Sequence, residues 1–218
     1  MAQEEIRILP LFPTFVWYLD LAPEKVTAIN APISSRLDAM IAAKTDHVLG
    51  QRLQTDQNLH TDPALGGLLP QIAGATRSAL DFLKIRYRQF DITGCWANVS
   101  WPGTPHKEHC HPNNYLSGVY YVEVPPGGDN ITFHDPRVQP NLFMPPTREQ
   151  NTENAGKMTI GVKAGTLVLF PSWLVHSVQP FQGSSSTRRV SIAFNIMFSD
   201  FERDVSPPLW EGNLKAPD

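Results

Sequence analysis

The chain has 218 residues, a formal net charge of −3 and 41% hydrophobic residues. This length suits one globular domain with a sizeable core, and the charge shows no basic excess of the kind that binds nucleic acid or anionic membranes. Two cysteines are too few for a secreted domain held by disulfides, and no run approaches the ~20 apolar residues of a membrane span. The acidic N-terminus has no apolar signal segment, so a cytoplasmic location is predicted.

Residues 1–93 are predicted to form an N-terminal layer of strand and helix. Apolar and aromatic residues predict one or two strands within Ile6–Leu21. Helical spacing predicts a helix over Val26–Ala43, interrupted at Pro32 because proline lacks the N–H that an inner helical turn needs. The polar stretch Thr45–Thr61 is expected to be a loop.

A second helix, predicted to be the longest, covers Leu68–Phe90, where apolar residues again recur at helical spacing. Asp62 and Pro63 precede it and resemble a capping residue followed by proline at the first helical position. The helical character ends before residue 94.

From residue 94 to residue 199 the chain consists of short apolar runs divided by proline and glycine. The predicted strands are Cys95–Trp101, Leu116–Val124, Asn130–His134, Lys157–Ile160, Thr166–Phe170, Ser177–Pro180 and Arg189–Phe198. Short strands at this spacing, together with 20 prolines, indicate a mostly β sandwich or jelly roll. The long polar segment Pro136–Ala155 is typical of a lid or substrate loop, and residues 200–218 are predicted to form a tail of this single 1–218 domain.

Three histidines, His106, His109 and His111, fall within six residues. On a β-strand, residues i and i+2 point to the same face about 6.6–7 Å apart, so such a pair can share one metal ion. Two pairs compete, His106 with Glu108 and His109 with His111, and on a continuous strand they face opposite ways. The second pair is preferred because it lies closer to the strand that follows, and Glu108 remains a reserve ligand.

A fourth histidine, His176, ends the apolar run 166–175 and is interpreted as the distant ligand of the same ion. Histidine and carboxylate ligands with open positions suit non-haem Fe(II).

Alternation in the last predicted strand sorts its side chains onto two faces. The apolar face, predicted to pack under the helices, carries Val190, Ile192, Phe194, Ile196 and Phe198. The other face carries Arg189 and Ser191, a guanidinium and a hydroxyl that together suit a small carboxylate. The same parity argument places Tyr121 where it can hydrogen-bond that carboxylate, and it makes Arg188 the surface arginine.

These residues lie in motifs that resemble a known family. The motifs are Trp96–Val99, His109–Pro112, Leu116–Val122, Asp135–Arg137, Gly165–Val178 and Arg189–Asn195. They are similar to those of the Fe(II)- and 2-oxoglutarate-dependent oxygenases, and more closely to the 2OG-Fe(II) oxygenases of bacteria and phages. The resemblance implies a mostly β, double-stranded β-helix barrel with helices on one face, and an Fe(II) centre that uses 2-oxoglutarate and dioxygen.

The resemblance also implies roles for individual residues. His109 and His176 would bind iron, Arg189 and Ser191 would hold the distal carboxylate of 2-oxoglutarate, and Tyr121 matches an assisting tyrosine of prolyl-hydroxylase-like relatives. The wider superfamily has Asp or Glu where this chain has His111. The prediction is a centre of three histidines at positions 109, 111 and 176. Two alternatives stay open: a carboxylate from Glu108 or Asp135, or a two-histidine centre whose pocket is merely lined by residue 111.

The predicted function is hydroxylation of an unknown small-molecule or peptide substrate, with succinate and CO2 as products. One rival is a cupin-like dioxygenase that has a three-histidine iron site and does not use 2-oxoglutarate. Another rival, of a different class, is a non-catalytic jelly-roll module that binds a metal or ligand. The substrate, and the choice between a monomer and a homodimer, are left open by the sequence.

Overall fold

The computed structural model describes residues 6–43 and 52–199. In chain order the elements are β1 Trp17–Asp20, α1 Pro23–Ala42, β2 Leu53–Gln54, 3₁₀ turns Leu59–Thr61 and Pro63–Leu65, α2 Leu69–Phe82, β3 Phe90–Ser100, β4 His106–His109, β5 Leu116–Glu123, β6 Asn130–His134, α3 Gln139–Leu142, β7 Lys157–Gly161, β8 Thr166–Pro171, β9 His176–Val178 and β10 Arg189–Phe198. The predicted tail lies outside the described residues, and the three-part division of one domain stays a prediction.

The strands form two antiparallel sheets with a jelly-roll arrangement, which confirms the predicted fold class. The larger sheet has the order β1-β8-β5-β10-β3-β2, and the smaller has the order β4-β9-β6-β7. A cluster of buried side chains joins the two sheets, with Val119 and Phe170 from the larger and Ile131 and Phe133 from the smaller. The space between the sheets therefore has an apolar core at one end, and the candidate site lies beside it.

Strand β10 lies at the centre of the larger sheet, paired with β3 on one side and β5 on the other. Its alternation is as predicted. One face is buried in a core shared with the helices, to which it contributes Val190, Ile192, Phe194, Ile196 and Phe198. The opposite face carries Arg189, Ser191 and Ala193 into the pocket between the sheets. The same strand thus supports the helical layer and the candidate site.

Helix α1 continues through Pro32, so the predicted interruption is wrong. A proline inside a helix costs about 3 kcal/mol. Ile29, Ile33 and Leu37 lie on one face of the helix and are at most 4% exposed. Burial of each such side chain stabilises by about 1.5–3 kcal/mol, so the packing of three outweighs the lost hydrogen bond. Among the described residues, no helix has the length and apolar character needed to cross a membrane.

Helix α2 has 14 residues and ends well before Phe90, so the prediction that it is the longest helix is wrong. The 20-residue α1 is longer. Lys84 adopts a left-handed conformation, with φ of 55°. Its N–H donates to the Asp81 carbonyl and the Ile85 N–H donates to the Leu80 carbonyl, at 3.2 and 3.0 Å. This is the Schellman pattern that ends helices, usually with glycine, and a lysine gave no signal for it.

Other N-terminal predictions are met in part. Within Ile6–Leu21 only Trp17–Asp20 is a strand, because the upstream prolines cannot contribute N–H groups to a sheet. The predicted loop 45–61 contains β2 and a 3₁₀ turn, and its residues 45–51 lie outside the described part of the chain. Asp62 is a cap as predicted, since its carboxylate accepts from the Ala64 N–H at 3.0 Å, although the element it caps is a 3₁₀ turn.

All seven strands predicted after residue 94 are present, with ends shifted by a few residues. Strand β4 was not predicted as a separate strand. Its sequence, His-Lys-Glu-His, has no apolar alternation, and its pairing with β9 depends on the rest of the fold.

Candidate active site

A pocket opens between the two sheets where β4 ends. The open space inside it, its mouth included, is about 390 Å³. Its walls are formed by Trp96, Asn98, His106, His109, His111, Gly118, Val119, Tyr121, Ile131, Phe170, His176, Val178, Arg189, Ser191 and Ala193. The walls combine apolar side chains with a cluster of histidines and one arginine.

The predicted histidines, His109, His111 and His176, converge in this pocket. One ring nitrogen of each lies within 4.8 Å of the others. His109 and His176 are direct partners in the β4–β9 ladder. His111 follows β4, and its backbone N–H donates to the Ser172 carbonyl at 2.9 Å. Two sheet positions and one anchored loop position therefore bring together residues that are up to 67 positions apart in the sequence.

Each of the three rings is held through Nδ1. His109 Nδ1 lies 2.8 Å from the Lys107 carbonyl, and His176 Nδ1 lies 3.0 Å from the Leu174 carbonyl. His111 Nδ1 lies 2.7 Å from Asn195 Oδ1. Carbonyl and amide oxygens only accept hydrogen bonds, so each Nδ1 carries the proton and each Nε2 keeps a lone pair. This is the arrangement in which histidines bind metal ions.

Burial favours the neutral form of two of these rings, His111 and His176. Burial lowers the pKa of His176 to about 3, despite an opposing contribution from the hydrogen bond to Leu174. Burial also lowers the pKa of His111, and the hydrogen bond to Asn195 offsets part of that effect. Neutral imidazole is the form that coordinates a metal, so at neutral pH no proton has to leave His111 or His176 before binding.

The two carboxylates considered as alternative ligands point elsewhere. The Glu108 side chain is 66% exposed, and its carboxylate lies 3.6 Å from His134 Nδ1. Asp135 pairs with Arg137, with 2.8 Å between Nη2 and Oδ2. Among the residues that the structure describes, no Asp or Glu joins the histidine group.

His106 lies in the same pocket, contrary to the prediction that it faces away from His109. The β4–β9 pairing advances three residues on β4, from His106 to His109, but only two on β9, from Val178 to His176. This extra residue is a β-bulge, and it turns both histidines to one side of the strand. Their rings stack with centroids 4.2 Å apart and an interplanar angle of 17°. Burial, followed by the proximity of His109, lowers the pKa of His106 to about 3.

Arg189 lines the same pocket and is 7% exposed. No acidic side chain among the described residues pairs with it. Its guanidinium carbon lies 5.3 Å from the centre of the Tyr121 ring, and burial lowers its pKa. Ser191 follows on the same face and is 5% exposed. Burial of an arginine without an acidic partner costs free energy, so the space beside Arg189 suits an anionic ligand.

Three buried polar atoms in the pocket have no hydrogen-bond partner: Tyr121 Oη, Trp96 Nε1 and Asn98 Oδ1. Burial raises the pKa of Tyr121 to about 12, although the charge of Arg189 acts in the other direction. The tyrosine therefore remains a hydroxyl that can donate. Trp96 and Asn98 belong to the motif Trp96–Val99, for which the sequence predicts no role in the pocket. The pairing of β3 with β10 brings them to the pocket, because it places Trp96 opposite Ala193 and Asn98 opposite Ser191.

The pocket fits the two groups that the sequence resemblance implies. Three neutral nitrogen ligands that leave positions open suit Fe(II). The cosubstrate 2-oxoglutarate is a dianion whose oxygens only accept hydrogen bonds. It suits the Arg189 guanidinium together with the Tyr121 hydroxyl and the Trp96 indole N–H, two donors that have no partner. This fit is based on the chemistry of the histidine nitrogens and on the buried polar atoms that have no hydrogen-bond partner.

Comparison with known proteins agrees with this chemistry. Residues 94–195 match the family model described as "Putative 2OG-Fe(II) oxygenase". This segment contains every residue assigned above to the metal centre and the anion site. A search of curated proteins by sequence found no significant match.

Several solved structures share the fold. A Pseudomonas putida prolyl-4-hydroxylase aligns over 85% of this chain and 93% of its own, with 16% identity and a TM-score of 0.56. The 2-oxoglutarate-dependent carbocyclase SnoK from nogalamycin biosynthesis aligns over 85% and 80%, with 16% identity and a TM-score of 0.60. HygX from Streptomyces hygroscopicus, with nickel and 2-oxoglutarate bound, aligns over 85% and 83%, with 11% identity and a TM-score of 0.56. At these identities the likeness establishes the fold alone.

Proposed function

Residues 94–195 match the family model of the 2OG-Fe(II) oxygenases, and on this premise we propose that the chain is a hydroxylase with a three-histidine iron centre. In this proposal His109, His111 and His176 hold Fe(II). Arg189, Ser191 and Tyr121, which line the same pocket, hold 2-oxoglutarate. The substrate is a small molecule or a peptide that provides a C–H bond.

One observation carries the proposal: the three convergent histidines share a pocket with a buried arginine that has no acidic partner among the described residues. When bound, Fe(II) and 2-oxoglutarate supply the oxidising chemistry with dioxygen and yield succinate and CO2. The protein binds and orients the parts. The guanidinium of Arg189 and the hydroxyls of Ser191 and Tyr121 would provide hydrogen-bond donors for the distal carboxylate of 2-oxoglutarate.

Apolar side chains shield the inner part of the pocket from water. Val119, Ile131 and Phe170 are each at most 8% exposed and belong to the core between the sheets. A dry pocket strengthens the attraction between Arg189 and an anion, because the effective dielectric constant falls when water is excluded. It also protects reactive species from side reactions.

Substrate recognition is assigned to the segment Pro136–Ala155. It follows β6, whose Ile131 lines the pocket. Three of its apolar side chains, Val138, Leu142 and Phe143, are between 68% and 82% exposed. A long connecting segment with exposed apolar groups is typical of a substrate-binding element.

The direct test is an anaerobic titration with Fe(II) and 2-oxoglutarate, followed by visible absorption. A charge-transfer band that requires both components is expected. Arg189→Met should weaken 2-oxoglutarate binding by about 10- to 100-fold, the usual effect of a lost hydrogen-bonded ion pair. Arg188→Met is the matched control, because Arg188 is on the helical side and pairs with Glu123 and Asp38. Equal 2-oxoglutarate affinity in both variants would contradict the assigned site.

A three-histidine dioxygenase without 2-oxoglutarate is the second candidate, favoured by the absence of a carboxylate from the histidine group among the described residues. It predicts iron binding without the charge-transfer band. A non-catalytic module would show no oxygen consumption with iron and 2-oxoglutarate present. The same titration, followed by an oxygen-electrode measurement, separates the three candidates.

A further inference from the structure

A buried hydrogen-bond network holds the His111 ring on the side away from the other histidines. Asn195 Oδ1 lies 2.7 Å from His111 Nδ1 and 2.7 Å from Ser117 Oγ, and Ser117 Oγ lies 3.0 Å from His111 Nδ1. Ser117 is fully buried and Asn195 is 9% exposed, so water hardly competes for these bonds. His109 and His176 differ, because main-chain carbonyls hold them.

The sheet places these partners together. Asn195 and Ser117 are direct partners in the β10–β5 ladder, and Asn195 faces Gly94 in the β3–β10 ladder. Glycine at position 94 leaves room for the amide, whose Nδ2 would lie 3.9 Å from a Cβ added there. A bulge in the β3–β10 pairing follows between Asn195 and Ile196. Asn195 therefore occupies a defined position at the rim of the barrel.

The direction of the bonds decides which nitrogen of His111 is free. The Ser117 hydroxyl donates to Asn195 Oδ1, so Ser117 offers only lone pairs to His111. The amide oxygen of Asn195 is also only an acceptor. Both contacts are favourable when His111 Nδ1 carries the proton. Nε2 then keeps its lone pair on the side of His109 and His176.

We propose that Asn195, supported by Ser117, is a positioning residue that fixes His111 in the tautomer and orientation that bind the metal. This inference rests on the proposed iron centre. A histidine ligand is commonly oriented by a carboxylate or carbonyl, and such partners change metal affinity by about 10- to 100-fold. Here the partner is a neutral amide. The Asn195 amide would orient the His111 ring without adding a negative charge near the metal. The positive charge of a divalent ion would then attract an anionic cosubstrate undiminished.

Co(II) is the probe, because it accepts the same nitrogen ligands as Fe(II), has visible ligand-field bands and does not require exclusion of oxygen. Apoprotein of the parent, Asn195→Leu, Asn195→Asp and His111→Ala would be titrated with Co(II). Asn195→Leu should weaken binding about 10- to 100-fold and shift the bands. Asn195→Asp keeps an acceptor for Nδ1–H and should bind within a few-fold of the parent. Thr132→Val is the matched control, since Thr132 is also a buried polar strand residue (4% exposed), bonds to Thr159 and does not line the pocket.

The outcomes separate this inference from the proposed function. Parent-like Co(II) affinity and spectrum in Asn195→Leu, with weak binding in His111→Ala, would overturn the role of Asn195 and leave the iron centre intact. Parent-like binding in His111→Ala would overturn the three-histidine centre itself. Circular dichroism checks that each variant is folded. If the leucine variant is not, Asn195→Ala is read by the same criteria.

Discussion

The rings of His106 and His109 stack nearly in parallel in the wall of the pocket, with centroids 4.2 Å apart. His109 belongs to the group of three convergent histidines and His106 does not. A stacked ring presents its face to its neighbour, so the two do not share one ion. Instead, the His106 ring limits the rotation of the His109 side chain. The bulge in β4 makes this contact possible, because it turns both rings to the same side of the strand.

Replacement of His106 is therefore expected to change metal affinity without changing the number of ions bound. His106→Leu should weaken Co(II) binding a few-fold, because a less well-oriented ligand loses part of its binding free energy. His106→Phe keeps a stacked aromatic ring and should remain close to the parent. Isothermal titration gives affinity and stoichiometry together. Loss of the bound ion in His106→Phe would show instead that His106 is itself a ligand.

The carboxylates of Glu108 and Asp135 are expected to be dispensable for metal binding, because Glu108 lies near His134 and Asp135 pairs with Arg137. Glu108→Gln and Asp135→Asn should each keep Co(II) affinity within a factor of about two. A fall of 10-fold or more in either variant, the effect expected of a lost ligand or its support, would restore that carboxylate as a candidate. The measurement is the same titration, with His111→Ala as the positive control.

The sequence predicted those parts of the site that depend on strand periodicity. In β10, alternation placed Arg189 and Ser191 opposite the apolar face that packs on the helices, and the structure agrees. The prediction succeeded because the two faces of this central strand have different environments, and alternate side chains point to the same face. The convergence of His109 and His176 followed from the same reasoning with the family motifs.

The parts that failed depend on irregular backbone or on pairing between distant strands. His106 was assigned to the wrong face because the bulge in β4 arises from its pairing with β9, which local sequence does not encode. The end of α2 was missed because Lys84 adopts a conformation usually left to glycine. The bond between His111 and Asn195 joins residues 84 positions apart and depends on the register of β10 with β5.

Gly118 is expected to be required for packing of the larger sheet. A Cβ at this position would lie 2.9 Å from the Val168 carbonyl oxygen and would overlap the buried Phe194 ring. Gly118→Ala should therefore lower the free energy of unfolding by about 1–3 kcal/mol, the usual cost of overpacking. Gly74→Ala is the matched control, because Gly74 lies in α2 and an added Cβ meets nothing within 4 Å. It should raise stability by about 0.4–1 kcal/mol. Urea denaturation measures both, and equal stability of the two variants would contradict the packing argument.

Acid should weaken the link between α1 and the 3₁₀ turn through Asp62. The hydrogen bond from the Ala64 N–H, followed by that from Arg36, lowers the pKa of Asp62. Arg36 Nε lies 2.6 Å from Asp62 Oδ2. A carboxyl with a lower pKa in the folded state stabilises fully above its unfolded pKa of about 3.9, and that contribution is lost as the pH falls through the folded pKa.

Asp62→Asn tests this dependence, because asparagine can still cap the turn but cannot form the ion pair. The parent should be more stable than the variant at pH 7, and the difference in the free energy of unfolding should shrink once the pH falls below about 4. Arg36→Gln removes the other partner of the ion pair and should also reduce the acid dependence of the stability. The hydrogen bond from the Ala64 N–H to Asp62 remains in this variant. Since Arg36 is 47% exposed, 1 M NaCl should reduce the difference at pH 7. Urea denaturation at several pH values gives these differences, and a gap between parent and Asp62→Asn that is constant from pH 3 to pH 7 would show that the ion pair does not stabilise the fold.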